Sequence, residues 1–197
     1  VALAAALGAE SCEIYSDVDG VFTADPRIVH GARKLSQISY DEMLELAACG
    51  AKILHLRCVE YARREGVTVH VRSSFSNNPG TLVTGRISLE EGNAMEEAII
   101  SGIAHDRSEA KITVVGVPDK PGVAASIFDI IADQDINVDM IVQNVSAVAT
   151  GATDITFTLP MSDGAKAVES LKAAKDRIGF SEVRYEDKIG KVSVVGV

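Results

Sequence analysis

Three aspartates, a glycine and an arginine fall within twelve residues, in the segment SDVDGVFTADPR that runs from residue 16 to residue 27. A short apolar run at 12–15 precedes this acidic loop and predicts a β-strand. Open α/β sheets place ligand sites in loops that follow strand carboxyl ends. Carboxylates there can orient ribose hydroxyls or a metal, Gly20 lets backbone approach a ligand, and Arg27 can pair with phosphate. An acidic surface turn closed by Gly and Pro fits the spacing equally well.

A second candidate site begins at Asp119, between a predicted strand and the start of a predicted helix. A helix N-terminus favours carboxylates, so the N–H groups of Gly122 and Val123 can hold an α-carboxylate while Asp119 holds an α-ammonium. Gln143 and Asn144, just past the next strand, can add polar contacts. This chemistry suits a free amino acid, although a simple helix start beside a polar hairpin explains the same residues.

Composition narrows the function classes. The 197 residues carry a net charge of −9, which argues against nucleic-acid partners and against an anionic membrane surface. No apolar run approaches the ~20 residues of a membrane helix, and the opening residues lack the basic segment of a signal peptide. Three cysteines without C-x-x-C spacing, Cys12, Cys49 and Cys58, indicate reduced thiols of a cytoplasmic protein. The four histidines show no metal-ligand spacing, so no protein metal site is expected.

A repeat shows how the chain is organised. The segment KITVVGV at 111–117 returns as KVSVVGV at 191–197, with five of seven residues identical. Such a repeat predicts tandem modules, of which the second has only its first strand here. The chain has no initiator Met and is expected to be a piece of a longer protein.

The predicted architecture is α/β, followed by an α+β unit of ferredoxin-like type. In the first part, Ser39 and Glu42 form a capping-box pattern, a second helix is expected over 52–65, and strands are expected at 67–71 and 81–83. The second part predicts the order βαββαβ, with Pro121 as the first helical residue and a strand at 138–142. The expected domains are 1–85, a linker and strand over 86–110, a βαββαβ domain over 111–188, and a further strand over 189–197.

Several motifs in collinear order now carry a resemblance. Residues 16–27, GAKILH at 50–55, VRSS at 71–74 and PGTLV at 79–83 resemble the C-terminal part of an aspartokinase catalytic domain. DKPG at 119–122 and VQNVS at 142–146 resemble the first ACT regulatory domain of that family, in its actinobacterial form. The resemblance implies the end of an amino-acid-kinase-type sandwich over 1–85 and an ACT domain over 111–188.

The family transfers the γ-phosphate of Mg·ATP to the β-carboxylate of L-aspartate, in the first step toward lysine, threonine and methionine, and end products regulate it. The resemblance implies a nucleotide pocket in which a lysine reaches the phosphates, with Ser standing where Thr is common and Phe where Tyr is common. Phosphoryl transfer needs positioning and charge neutralisation, which such residues supply. The implied nucleotide residues are Ser16, Asp17, Phe22, Asp25, Arg27 and Lys52.

The resemblance also implies effector sites and an oligomer formed through ACT domains. Residues of a threonine-type site are Asp119, Gly122, Val123, Ala124 and Gln143, and residues linked to lysine are Asn137, Asp139 and Ser146. Met95 resembles the start of a separate regulatory subunit. The family's N-terminal phosphate motif and aspartate-binding residues do not occur in these 197 residues, so the isolated chain is expected to be inactive.

Two other readings stay open on the sequence. The run Asp17-Val18-Asp19-Gly20-Val21 matches the nucleophile loop of haloacid-dehalogenase-type phosphatases, although Glu13 interrupts the preceding strand and no later acidic pair follows. The tail alone fits a stand-alone amino-acid-binding regulatory module. That reading leaves residues 1–85 without an explanation.

Overall fold

The computed structural model describes residues 1–85, 100–144 and 151–196. The chain forms two compact units. Unit 1 comprises Val1–Asp106 with Val192–Val197, and unit 2 comprises Arg107–Lys191. Within the described ranges, no helix has the length and apolarity needed to cross a membrane. The Met95 region and Ser146 lie outside the described residues.

Unit 1 combines a four-stranded sheet, a two-stranded sheet and three helices among its described residues. Its elements before unit 2 are α1 (Ala2–Ala6), β1 (Ser11–Ser16), β2 (Gln37–Ser39), α2 (Tyr40–Ala48), α3 (Leu56–Glu65), β3 (Thr68–Ser73), β4 (Thr81–Thr84) and β5 (Ile100–Asp106). The larger sheet has the order β1-β3-β4-β2, in which β1 and β3 are parallel, β3 and β4 are antiparallel, and β4 and β2 are parallel.

Helix α2 begins as its sequence predicts. The Ser39 hydroxyl accepts a hydrogen bond from the Glu42 N–H at 3.2 Å, and the Glu42 carboxylate accepts one from the Ser39 N–H at 3.0 Å. These reciprocal bonds satisfy donors that a helix start leaves without partners. The capped helix places Met43 and Leu46 in an aliphatic core with Val59 of α3 and Val71 of β3, all at most 2% exposed.

The second helix starts later than the predicted residue 52. Helix α3 begins at Leu56, because His55 has an extended backbone (φ −72°, ψ 135°) and its side chain accepts a hydrogen bond from the Arg57 N–H. Histidine is not among the strongly preferred N-cap residues, so this helix start could not be predicted from residue type. Lys52 therefore lies in the irregular segment between α2 and α3.

The predicted strands on either side of unit 2 pair with each other. Strand β5 (Ile100–Asp106) and strand β10 (Lys191–Gly196) form the two-stranded sheet. Ala104 and Val195 are buried against the core of unit 1. Ile103, Val192 and Val194 remain exposed. Unit 2 is thus inserted in the chain between two strands that pair with each other.

Unit 2 has the predicted order βαββαβ, which confirms the ferredoxin-like arrangement. The elements are β6 (Glu109–Pro118), α4 (Val123–Ala132), β7 (Ile141–Gln143), β8 (Ala152–Pro160), a 3-10 turn (Met161–Asp163), α5 (Gly164–Ala173), α6 (Lys175–Ile178) and β9 (Glu182–Glu186). The antiparallel sheet has the strand order β7-β8-β6-β9. The side chains that are fully buried where the helices pack on the sheet include Ile112, Ile127, Phe157 and Leu171.

Two boundaries in unit 2 differ from expectation. Pro121 is not the first helical residue, because Gly122 takes the left-handed conformation (φ 91°) and helix α4 starts only at Val123. Strand β7 is shorter than the predicted 138–142 and begins at Ile141. Asp139 and Met140 still bond to Thr158 of β8 through their backbones, so the pairing begins irregularly before the strand itself.

Candidate functional site

The carboxyl ends of β1 and β3 lie side by side, because the parallel pair is in register from Ser11 opposite Thr68 to Ser16 opposite Ser73. The acidic loop leaves β1 at this point, and the residues 74–80, named the β3–β4 loop, leave β3. The Ser74 N–H donates to the Ser16 carbonyl at 2.7 Å and extends the pairing by one bond. Two polar loops therefore emerge together at one edge of the sheet.

Asp19 joins the two loops. Its carboxylate accepts hydrogen bonds from the Ser76 hydroxyl and, at 3.0 Å, from the Asn78 side-chain amide. These hydrogen bonds hold the pKa of Asp19 below its usual value, and the bond from Ser76 has the larger effect. Asp19 therefore fixes the shape of the site, a role that its neighbours in the sequence do not predict.

Gly20 and Thr81 bring the acidic loop into close contact with β4. The Val21 N–H donates to the Thr81 hydroxyl oxygen at 2.9 Å, and that hydroxyl donates to the Leu35 carbonyl at 2.5 Å. Gly20 has φ 132°, and a Cβ built on it would lie 2.4 Å from the Thr81 hydroxyl oxygen. Only glycine fits there without displacing Thr81.

The second half of the acidic loop is a small hairpin that the sequence did not predict. The Thr23 N–H donates to the Arg33 carbonyl and the Leu35 N–H to the Val21 carbonyl, both at 2.8 Å. Phe22 forms the antiparallel bridge with Lys34 between these bonds. The hairpin holds Phe22 half-buried, which leaves part of the ring accessible to a ligand.

Asp25 and Arg27 form a bidentate pair. The Arg27 Nε and Nη2 atoms donate to the two carboxylate oxygens of Asp25 at 3.0 and 2.8 Å, and the Arg27 backbone N–H donates to one of them at 2.9 Å. The Arg27 side chain lowers the pKa of Asp25 to about 2, with help from the backbone bond. Asp25 thereby orients a guanidinium whose side chain is 82% exposed and accessible to an anionic ligand.

The Asp25–Arg27 pair predicts a pH dependence. Because the folded-state pKa of Asp25 is depressed, the pair stabilises the fold above the ordinary pKa of 3.8, and that contribution falls as pH drops toward about 2. Urea unfolding of the wild type and of Asp25→Asn should differ at pH 6 and converge near pH 2. Asp41→Asn, which breaks an exposed pair with Arg63, is the control and should differ little at any pH. An Asp25→Asn difference that does not change with pH would contradict the assignment.

The remaining predicted nucleotide residues lie in different surroundings. The Ser16 hydroxyl accepts a hydrogen bond from the Val18 N–H at 3.3 Å and so helps form the turn at the start of the acidic loop. Asp17 acts electrostatically on Arg27 and raises its pKa, after the larger effect of Asp25. Lys52 is exposed, and no hydrogen bond or ion pair joins it to the acidic loop within the described ranges.

In unit 2, the structure brings Asp119 and Gln143 to one end of the sheet. Strands β6 and β7 both run antiparallel to β8 and end on either side of its first residues: Pro118 is opposite Ala152, and Gln143 is opposite Ile155. The residues of the threonine-type set in α4 follow β6 directly. These residues therefore lie around one end of the sheet, as an amino-acid site there would require.

The expectation that both N–H groups at the start of α4 are free is wrong for Val123, whose N–H donates to the Lys120 carbonyl at 3.3 Å. The left-handed Gly122 allows this turn. Val123 also lines an open groove of about 300 Å³, together with Ser126, Asp129, Ile130, Asp133, Arg177 and Ile178.

The residues linked to lysine lie at the other end of β7. Asn137 and Asp139 precede that strand, and the Asp139 N–H donates to the Thr158 carbonyl at 3.0 Å. The Asp139 carboxylate accepts from the Lys191 ammonium at 2.5 Å, and Lys191 also lies 3.7 Å from a Glu109 carboxylate oxygen. An ammonium of this chain thus occupies Asp139, so a cationic ligand at Asp139 would compete with Lys191.

No group of three or more His, Cys, Asp or Glu side chains that could hold a metal ion occurs in the part of the chain that the structure describes. Cys12, Cys49 and Cys58 are all free. Any divalent cation at the acidic loop would depend on ligand oxygens for most of its coordination, as Mg²⁺ does when it is bound with nucleotide phosphates.

Comparisons with known proteins identify two family models in this chain. Residues 1–73 match the model of the amino acid kinase family, and residues 112–174 match that of the ACT domain. The aspartokinase of Mycolicibacterium smegmatis is 61% identical over all of this chain, and that of Corynebacterium glutamicum is 59% identical. The chain spans 46% of the length of each.

Solved structures with a similar fold are aspartokinases. Escherichia coli aspartokinase III in complex with aspartate and ADP is 27% identical, with a TM-score of 0.75 over 98% of this chain and 42% of that one. The same enzyme in complex with lysine and aspartate gives a TM-score of 0.70.

The fold and the two family models define an amino-acid-kinase-type unit in a chain that also carries an ACT domain. Within that class, the similarity over the whole chain is specific: the chain resembles the corresponding part of known aspartokinases. This assignment overturns the phosphatase reading. It also leaves the stand-alone regulatory module without support, since residues 1–73 match a kinase model.

Proposed function

We propose that the full-length polypeptide carrying these residues is an aspartate kinase, which transfers the γ-phosphate of ATP to the β-carboxylate of L-aspartate. The observation that carries the proposal is the sheet edge at the ends of β1 and β3. There the acidic loop exposes the Arg27 guanidinium, which is oriented by its bidentate hydrogen bonds to the Asp25 carboxylate. Phosphoryl transfer depends on positioning and charge neutralisation, which a guanidinium held in this way supplies.

The nucleotide residues have distinct roles in this proposal. Arg27 pairs with phosphate oxygens, and the accessible part of Phe22 contacts the base or ribose. Ser16 and Asp17 line the pocket at the end of β1, and Lys52 reaches the phosphates from the segment before α3. Mg²⁺ enters with ATP and supplies charge neutralisation at the phosphates.

Unit 2 is proposed to bind feedback effectors. Threonine would bind around Asp119, Gly122, Val123, Ala124 and Gln143, and lysine near Asn137, Asp139 and Ser146. The common end of β6 and β7 supports the first set. For the second, the Asp139 carboxylate already pairs with the Lys191 ammonium, so the alkylammonium group of a bound lysine would have to displace Lys191.

Assembly through the ACT unit is part of the same proposal. Strand β7 is at the edge of its sheet, and Ile141 and Val142 on it are exposed. An exposed apolar edge strand is suited to pairing with another chain. The three free cysteines fit a reducing compartment, and we place the protein in the cytoplasm.

A coupled assay of ADP release tests the activity. With the full-length polypeptide and Mg·ATP, we expect ADP release that depends on L-aspartate. Arg27→Gln should lower kcat/KM for ATP about tenfold or more, because a charge-assisted phosphate contact is lost, while KM for aspartate stays within about twofold. Arg57→Gln is the matched control, since Arg57 is an exposed arginine on α3 of the same unit. Absence of aspartate-dependent release would refute the activity, and equal effects of both substitutions would refute the role of Arg27.

A further inference from the structure

Phe75 has no role in the proposed site so far, yet its side chain is 83% exposed. The chain has only nine Phe and Tyr residues and no Trp. Large aromatic side chains contribute most when they are buried or stacked, so an exposed one in a fixed loop is an unusual use of a scarce residue type. The contacts that fix the backbone around Phe75 determine which ligand its ring can reach.

The backbone around Phe75 is held on both sides. The Phe75 N–H donates to the Ser73 hydroxyl oxygen at 3.1 Å. The preceding residue, Ser74, bonds to the Ser16 carbonyl at 2.7 Å, and the following residue, Ser76, bonds through its hydroxyl to Asp19. The ring therefore projects from a segment that is hydrogen-bonded on either side to the acidic loop.

The location selects a class of ligand. Phe75 follows the carboxyl end of β3, next to the carboxyl end of β1, and a ligand at the acidic loop lies at this same sheet edge. Phosphates are recognised by charge, as at Arg27, but a purine base presents a flat aromatic face that carries no charge. Stacking on an aromatic side chain is the common way to bind such a face.

We infer that Phe75 is a base-stacking residue of the nucleotide site, so that a nucleoside di- or triphosphate binds with its phosphates toward Arg27 and its base against the Phe75 ring. This inference rests on the proposed function. It adds a specificity-determining contact, because a ligand with the same phosphates and no base gains nothing from Phe75.

Equilibrium binding to the full-length polypeptide tests this, with Mg·ADP and Mg·tripolyphosphate as separate probes in titration calorimetry. Phe75→Ala should weaken ADP binding about 5- to 30-fold, as expected for the loss of one base stack. Tripolyphosphate binding should change less than about twofold. Phe75→Tyr should restore ADP binding to within about threefold of the wild type.

Leu7→Ala is the control, since Leu7 is another strongly exposed apolar side chain of unit 1 and should leave the binding of both ligands unaffected. ADP binding that is unchanged in Phe75→Ala while the wild type binds ADP would overturn the inference and leave the proposed function intact. An equal loss of both ligands would also overturn it, because Phe75 would then act on loop shape. A wild type that binds neither ligand would refute the proposed function itself.

Discussion

Gly20→Ala is expected to lower the free energy of unfolding of unit 1 by about 2–4 kcal/mol. The substitution places a Cβ 2.4 Å from the Thr81 hydroxyl oxygen and 3.1 Å from the Thr81 N atom, at a backbone φ of 132° that side-chain-bearing residues rarely adopt. Strain of this kind costs about 1–3 kcal/mol, and displacing Thr81 adds the loss of its bonds to Val21 and Leu35. Urea denaturation followed by circular dichroism measures the change.

The matched control for this prediction is Gly31→Ala. Gly31 lies fifteen residues after Ser16 in the same part of unit 1, and nothing lies within 4 Å of a Cβ built on it. We expect a change within about 0.5 kcal/mol. The loss of nucleotide affinity should follow the same order, large for Gly20→Ala and negligible for Gly31→Ala. Equal stability of Gly20→Ala and the wild type would show that Thr81 does not hold the acidic loop as described.

Phe157→Ala is expected to destabilise unit 2 by about 3–5 kcal/mol. Phe157 is fully buried on β8, where it is opposite Ile112 of β6 and Ile141 of β7. Its ring packs edge-on against that of Phe128, with 5.5 Å between the ring centroids. Truncation removes the buried ring and leaves a cavity that the sheet cannot close. Thermal unfolding followed by near-ultraviolet circular dichroism should show the loss.

A more conservative substitution at Phe157 tests how much of the effect comes from the lost side-chain volume. Phe157→Leu keeps much of the apolar volume and should cost less than half as much as Phe157→Ala. Met161→Ala, at a partly exposed residue just after β8, should cost under about 1 kcal/mol. If Phe157→Ala cost no more than Met161→Ala, the core of unit 2 would not be packed around this ring.

The sequence predicts those elements whose signals are local. The capping box of Ser39 and Glu42 is formed, and the βαββαβ order of unit 2 follows from alternating and helical apolar patterns. In each case, residues within a few positions of one another determine the conformation, so reading them in order is sufficient.

Some errors come from contacts between distant residues, and others come from the conformation of a neighbouring residue. Thr81 holds the acidic loop from sixty positions away, and nothing near Thr81 in the sequence marks it for that role. The hairpin of the acidic loop is closed by backbone bonds between Thr23 and Arg33, to which side-chain patterns are insensitive. Pro121 carries a valid helix-start signal, but the left-handed Gly122 delays the helix to Val123.

The central claim is that the edge where β1 and β3 end binds the nucleotide, and photoaffinity labelling of the full-length polypeptide tests it most directly. With 8-azido-ATP, irradiation and peptide mapping, we expect modified residues within the acidic loop or the β3–β4 loop, protected by excess ATP and Mg²⁺. Protected labelling confined to residues 107–191 would contradict the claim, because the nucleotide would then bind to unit 2 instead of the kinase-type unit.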